Sequence, residues 1–192
     1  MVDKLHILNS CSVALSQGRL TWRHDNILHY ISKCLDKIKF ECYIDIPGHQ
    51  TVGGETLKPE LAITPDRPDI VIMDRKQNSV HILELSCSFE MNTDDRHTHK
   101  TNKYAYLLTD ITTMKPTVTA FEIGSRGFIT TENRNRLKQL HKFFKKGIKF
   151  SKFIENISAI SVNSSYYIFL NRKEQIWVDP PPLEPPFGDG SK

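Results

Sequence analysis

The chain has 192 residues, 39% of them hydrophobic and 25% charged, which suits one packed domain with short appendages and not two full domains. No apolar run reaches the length of a membrane span, and the N-terminal stretch lacks the long uncharged core of a secretory leader, so the expectation is no membrane partner and a nuclear location, or a cytoplasmic one before import. A net charge of +4 leans only weakly toward polyanionic partners.

In chain order, residues 6–15 carry a short helical pattern that Gly18 breaks. A longer helix is predicted from Trp22, with Asp25 near its start and Ile27, Leu28, Ile31, Cys34, Leu35 and Ile38 at helical spacing. FECYIDIP (40–47) alternates and ends in a Pro-Gly turn signal, which predicts a strand, and 48–65 reads as a connecting loop or loose hairpin. Two apolar runs, Ile70 to Met73 and Val80 to Leu85, flank the polar DRKQNS and predict an antiparallel hairpin at the centre of a sheet, covered on both faces. From Asp94 to Thr113 the period becomes helical, with Tyr104, Leu107, Leu108 and Ile111 as its apolar stripe. TVTAFEIG (117–124) is a further strand, and helices follow at about 130–145 and 151–172. The Pro-rich DPPPLEPPFGDGSK is expected to be disordered or to dock as an extended segment. The order αβββαβ predicts an α/β fold with a mixed central sheet of about four strands and extra C-terminal helices. The expected divisions are a linker region over 1–23, a folded domain over 24–175 and a tail over 176–192.

Cys11, Cys34, Cys42 and Cys87 show neither CxxC nor disulfide-framework spacing, and three lie in apolar-periodic segments. They read as small core residues in a reducing compartment. Basic residues are concentrated late in the chain: Arg126, Arg134, Arg136, Lys138, Lys142, Lys145, Lys146, Lys149 and Lys152 face a single acid, Glu132. Clustered charge of one sign marks a candidate phosphate-binding surface, with a solvated helix face as the equal alternative. Arg67 joins these as a candidate nucleic-acid contact.

Two carboxylates interrupt the hairpin pattern. Asp69 follows Pro68 at the mouth of the first run, and Glu84 stands in the second on the face shared by Val80, Ile82, Ser86 and Ser88. An ionised carboxylate in a twice-covered strand is costly unless something positive compensates it. If the strands pair through DRKQNS, Asp69 and Glu84 meet at one end of the hairpin, and a divalent cation would relieve their repulsion. Oxygen ligands suit Mg²⁺ or Mn²⁺, with water and substrate phosphate completing the shell. Such a cation polarises a phosphodiester and offsets charge on the leaving oxygen, and the chemistry also asks for a fixed positive donor. The plain alternative is that Asp69 caps a strand and Glu84 pairs with an arginine.

Pro68-Asp69, a polar hairpin and Glu84 in the next apolar strand are similar to the PD-(D/E)xK nuclease core. RPDIVIMD…VHILELSCSFE followed by HKTNKY resembles, more specifically, the restriction-like endonuclease domain of site-specific non-LTR retrotransposons. Upstream, HILNSCSVALSQGRLTWRHDNIL is similar to the junction between the reverse transcriptase's CCHC zinc knuckle and its endonuclease, with His6 and Cys11 as the knuckle's second ligand pair. The likeness covers residues 6–123. Because the CxxC half is absent, it implies a knuckle remnant over 1–23 and no zinc held by this chain alone. It implies Mg²⁺ or Mn²⁺ on Asp69, Glu84 and the Leu85 backbone carbonyl. The lysine that ordinarily stands two residues after the Glu is replaced by Ser86; in the retrotransposon variant the next helix supplies it, so Lys100 or Lys103 is expected to serve, Lys103 marginally favoured. Tyr104 and Asp25, the latter in the RHD of 23–25, are further candidate catalytic residues, weighed against core packing and helix capping. His97 and His99, as H-x-H on a helix, point too far apart to act as ligands.

The expected function is a metal-dependent DNA endonuclease that nicks target DNA for integration, with the basic segment holding phosphates. The alternatives are a catalytically inactive nucleic-acid-binding module on the same fold, motivated by Ser86, and a structure-selective nuclease on branched DNA, which would act as a homodimer. RNA enters as a partner only within a larger reverse-transcriptase polyprotein.

Overall fold

A computed structural model describes residues 11–49, 67–88, 102–105, 107–186 and 188. Helix α1 (Ser12–Ser16) is a single turn, and Gly18 at φ 75° separates it from α2 (Arg19–Cys34). That left-handed backbone is cheap only without a Cβ. α2 therefore starts three residues before the Trp22 at which the apolar pattern becomes legible. It buries Ile27, Leu28, Ile31 and Cys34 against the sheet.

The strands are β1 (Glu41–Ile44), β2 (Ile70–Asp74), β3 (Ser79–Ser88) and β4 (Lys115–Gly124), in that spatial order. The first three are antiparallel and β4 runs parallel to β3, so the sheet is mixed and the fold is α/β. β3 extends three residues beyond the expected Leu85, because β4 pairs with it as far as Ser88. Between them, 102–104 form one helical turn and α3 (Leu107–Asp110) another. The helix expected through Thr113 ends at Asp110, where Ile111 and Met114 turn in to the core; its first part, 94–101, lies outside the described residues. α4 (Thr131–Leu140), a 3₁₀ turn (His141–Phe143) and α5 (Phe150–Leu170) complete the order. Thr130 caps α4 by accepting from the Asn133 N–H at 3.1 Å.

The β2–β3 turn fixes the register on which the site depends. Asp74 Oδ1 accepts from the N–H groups of Lys76 (3.0 Å) and Gln77 (3.1 Å), and Asn78 takes a positive φ of 49°. Ile70 then faces Leu83 and Val71 faces Ile82. A slip of one residue would send every side chain of the hairpin to the other face. One face, carrying Ile70, Ile72, Leu83, Leu85, Phe121 and Ile123, packs on α2, α4 and α5. The other carries Tyr43, Val71, Met73, Val80 and Ile82 and is covered by Tyr104, Ile111 and Met114.

The segment after α5 has neither helix nor strand, as its prolines dictate, yet it runs back along α2 through residue 186. Arg19 donates to the Asn171 and Glu174 carbonyls (2.6 and 2.7 Å) and lies over Trp177. Trp22 Nε1 donates to the Pro180 carbonyl at 2.9 Å, and the Leu183 N–H to Asn26 Oδ1 at 2.7 Å. Of the two expectations for the tail, extended docking describes this part. The division expected at residue 23 falls inside α2. No helix among the described residues is long and apolar enough to cross a membrane.

Candidate active site

Continuing the register one pair past Ile70 and Leu83 sets Asp69 opposite Glu84. Both are buried, at 8% and 1% exposure. Each is tied to the other's strand: the Asp69 N–H donates to Glu84 Oε1 at 3.0 Å, and the Leu85 N–H donates to Asp69 Oδ2 at 2.7 Å. In an extended residue the C=O lies on the same side as the N–H. The Leu85 carbonyl therefore also faces the end of β2, beside the two carboxylates.

α2 contributes the other wall. His24 lies between two acids, with Nδ1 3.1 Å from Asp25 Oδ1 and Nε2 3.3 Å from Asp69 Oδ2. Burial pulls the imidazole's pKa down, but the Asp69 charge and the hydrogen bonds to Asp25 and Asp69 outweigh it and raise the pKa to about 10. A protonated ring donates from both nitrogens and so satisfies both carboxylates at once. Arg23, 1% exposed, passes behind the site and holds the end of β3, donating to the Cys87 carbonyl at 2.8 Å and to Ser165 Oγ at 3.2 Å.

Asp69 and Leu85 open onto a cleft of about 750 Å³ whose walls also include His24, Asp25, Arg67 and Ser86, while Glu84 lies behind Asp69 and not in the wall. Arg67 is at its mouth, exposed and paired with Asp45. Tyr104 is 1% exposed and packs with the core under the carboxylate-bearing face, while its hydroxyl donates to the Arg67 carbonyl at 3.4 Å. Lys103 Nζ lies 3.0 Å from that hydroxyl. A chain from Lys103 through Tyr104 to Arg67 thus ends two residues before Asp69. Lys100, His97, His99 and His6 lie outside the described residues. Asp25 reaches Asp69 only through the His24 ring, and because it sits in the second turn of α2, capping does not account for it.

Two opposed carboxylates and a carbonyl are hard oxygen donors, and that set fits Mg²⁺ or Mn²⁺. Among the described residues, no three His, Cys, Asp or Glu side chains gather as a protein-only metal cage. A cation here would take its remaining ligands from water and substrate phosphate, which is how Mg²⁺ is ordinarily held.

Sequence reasoning missed two participants. The contact of His24 with Asp69 depends on α2 crossing the end of β2, which no local pattern announces. Glu122 is 2% exposed, stands opposite Ser86 in register and shares the sheet face of Glu84. It is here, and not at a helix face, that an arginine is spent: Arg136 Nη1 lies 3.3 Å from Glu122 Oε2. Counting by twos along TVTAFEIG would have turned Glu122 inward. The basic residues expected to form one phosphate surface are split among the turn after β4, α4, the 3₁₀ turn, the link that follows it and the start of α5. Arg126, Arg134, Lys138, Lys142, Lys145, Lys146 and Lys149 are exposed, Lys152 pairs with Glu155 at 2.6 Å, and none of these lines the acidic cleft.

No family model matches the chain, and no curated protein is significantly similar to it.

Proposed function

We propose that this chain is a metal-dependent DNA endonuclease of the PD-(D/E)xK type, resembling the domain with which site-specific non-LTR retrotransposons nick their targets. The observation that carries the reading is the buried Asp69–Glu84 pair with the Leu85 carbonyl beside it, of which Asp69 and Leu85 form part of the wall of an open cleft. Backbone N–H bonds and the His24 imidazolium offset part of the cost of opposing two carboxylates there, and it is the opening of Asp69 and Leu85 onto the cleft that favours a cation. Mg²⁺ or Mn²⁺ held by these three groups would polarise the phosphodiester and offset charge on the leaving oxygen. His24 orients Asp69, and Arg67 meets the strand at the cleft mouth. Lys103, outside the cleft wall but linked to Arg67 through the Tyr104 hydroxyl, is the favoured cation for charge developing at phosphorus, with Lys100 as the alternative.

The test is nicking of supercoiled plasmid with Mg²⁺ or Mn²⁺ and with EDTA. Asp69→Ala is expected to lower the nicking rate by about a thousandfold while retaining most of the affinity for DNA. Undiminished cleavage by that variant would sink the assignment. A binding module without catalysis is the second reading, favoured by Ser86 and by the His24 imidazolium, which compensates Asp69 without a metal. Salt-sensitive DNA binding by a wild type that never nicks, even with Mn²⁺, would select it.

A further inference from the structure

The C-terminal half of α2 borders a second hollow, of about 440 Å³, that plays no part in the proposed cleavage. Its walls gather His29, Lys33, Lys37, His49 and Lys145 around the buried hydroxyl of Ser32, against one acid, Asp36. Asp36 supplies one negative charge against the three lysines, and its Oδ1 is held by the Ile38 and Lys39 N–H groups at 3.3 and 3.2 Å. Long-range pairing delivers Lys145: Leu35 bridges to Phe144, and the Lys145 N–H donates to the Cys34 carbonyl at 2.9 Å. Lys145 Nζ then donates to the Lys33 carbonyl at 2.8 Å. On the floor, Lys37 Nζ donates to Ser32 Oγ at 2.7 Å, and Ser32 Oγ lies 2.9 Å from His49 Nε2.

His49 also stands in the wall of the acidic cleft, with its ring edge-on to His29 at 5.6 Å, so the two hollows adjoin. Like charges brought together in a recess repel, and an anion relieves them. Burial and then Lys145 hold the Lys37 pKa down, while burial and His49 do the same to His29. The chain already brings one anion to the rim, since Glu184 of the docked tail sits on Lys33 at 2.7 Å.

We infer that this hollow is a subsite for a backbone phosphodiester of a DNA strand leaving the Asp69–Glu84 centre. Ser32 lies eight residues beyond His24 on α2, about 12 Å along the axis at roughly 1.5 Å per residue. At about 3.4 Å of duplex axis per nucleotide of one strand, the gripped phosphate is at most roughly three to four nucleotides from the cut. The strand's starting point rests on the endonuclease reading; the cationic hollow itself does not.

The experiment is anisotropy of a fluorescein-labelled duplex in EDTA, titrated with salt, so that cleavage does not enter. The double variant Lys37→Gln/Lys145→Gln is expected to bind about tenfold more weakly and to flatten the slope of log K against log salt by about one, as one phosphate is no longer neutralised. Both side chains are exposed, and a thermal melt checks that the fold is kept. Lys37→Glu alone, which reverses a charge, is expected to weaken binding and flatten the slope as well. Unchanged affinity and slope in both variants overturn the inference and leave the endonuclease reading standing. A wild type that binds the duplex but never nicks it, beside variants that bind more weakly, retires the endonuclease reading and supports the subsite.

Discussion

The two ends of α2 carry opposite chemistry. Its N-terminal half sets His24 and Asp25 against the opposed carboxylates of β2 and β3, where negative charge is concentrated and buried. Its C-terminal half lines a recess of lysines and histidines in which Asp36 is already engaged by backbone. The apolar face between them, Ile27, Leu28 and Ile31, anchors the helix on the sheet, so the two ends are held at a fixed separation. On the proposed reading one end would hold a cation and position a phosphodiester for attack, and the other would hold an anion. A helix with both properties can present one strand to chemistry and grip it elsewhere.

Substitutions at the acidic end test whether the two ends of α2 divide the work in this way. The largest effect in this set is expected from Lys103→Ala, which should lower the nicking rate at saturating DNA by about a hundredfold, roughly 2.7 kcal/mol. A loss seen only in affinity would assign Lys103 to gripping the strand and blur the division.

Glu84→Gln comes next. In EDTA it should melt no lower than wild type, because the amide oxygen can still accept the Asp69 N–H while the repulsion disappears. Mg²⁺ at about a hundred times its Kd should raise the wild-type Tm by roughly 5–10 °C and leave the variant unmoved. Calorimetry with and without Mg²⁺ reads both, and a variant that still responds would place the cation elsewhere.

The smallest effect concerns His24→Gln. The folded-state pKa of His24, about 10, lies above its ordinary value of 6.5, so its stabilisation is complete below pH 6.5 and fades as the pH rises through about 10. Urea melts in EDTA should find the variant less stable by about 1–2 kcal/mol near pH 6, with the gap closing above pH 10. A gap independent of pH would show that His24 packs and does not pair.

Much of the fold follows from short-range patterns. DRKQNS between two apolar runs predicts the hairpin, and Asp74 and Asn78 supply the turn chemistry that sets its register. Alternation through VHILELS places Glu84 on the same face as Ile82, and pairing through that turn brings Asp69 opposite it. The periodic runs of α2 and α5 are likewise readable, because a helix buries residues at a spacing that the sequence displays, except that α2 ends at Cys34 and leaves Ile38, the last residue of the expected run, exposed. The start of α2 is not readable in this way, since its first turn is organised by Gly18 and by a tail more than 150 residues away.

Strand faces and helix stripes are written in local periodicity, and with them the pairing of Asp69 with Glu84. The meeting of His24 with Asp69, the pairing of Arg136 with Glu122, the path of the tail along α2 and the grouping of Lys145 with Lys33 and Lys37 arise from packing. Each of these contacts joins elements that no local period links. The physical reason is that backbone dihedrals and alternation act over a few residues, whereas the placement of a helix across a strand end is set by how whole faces pack.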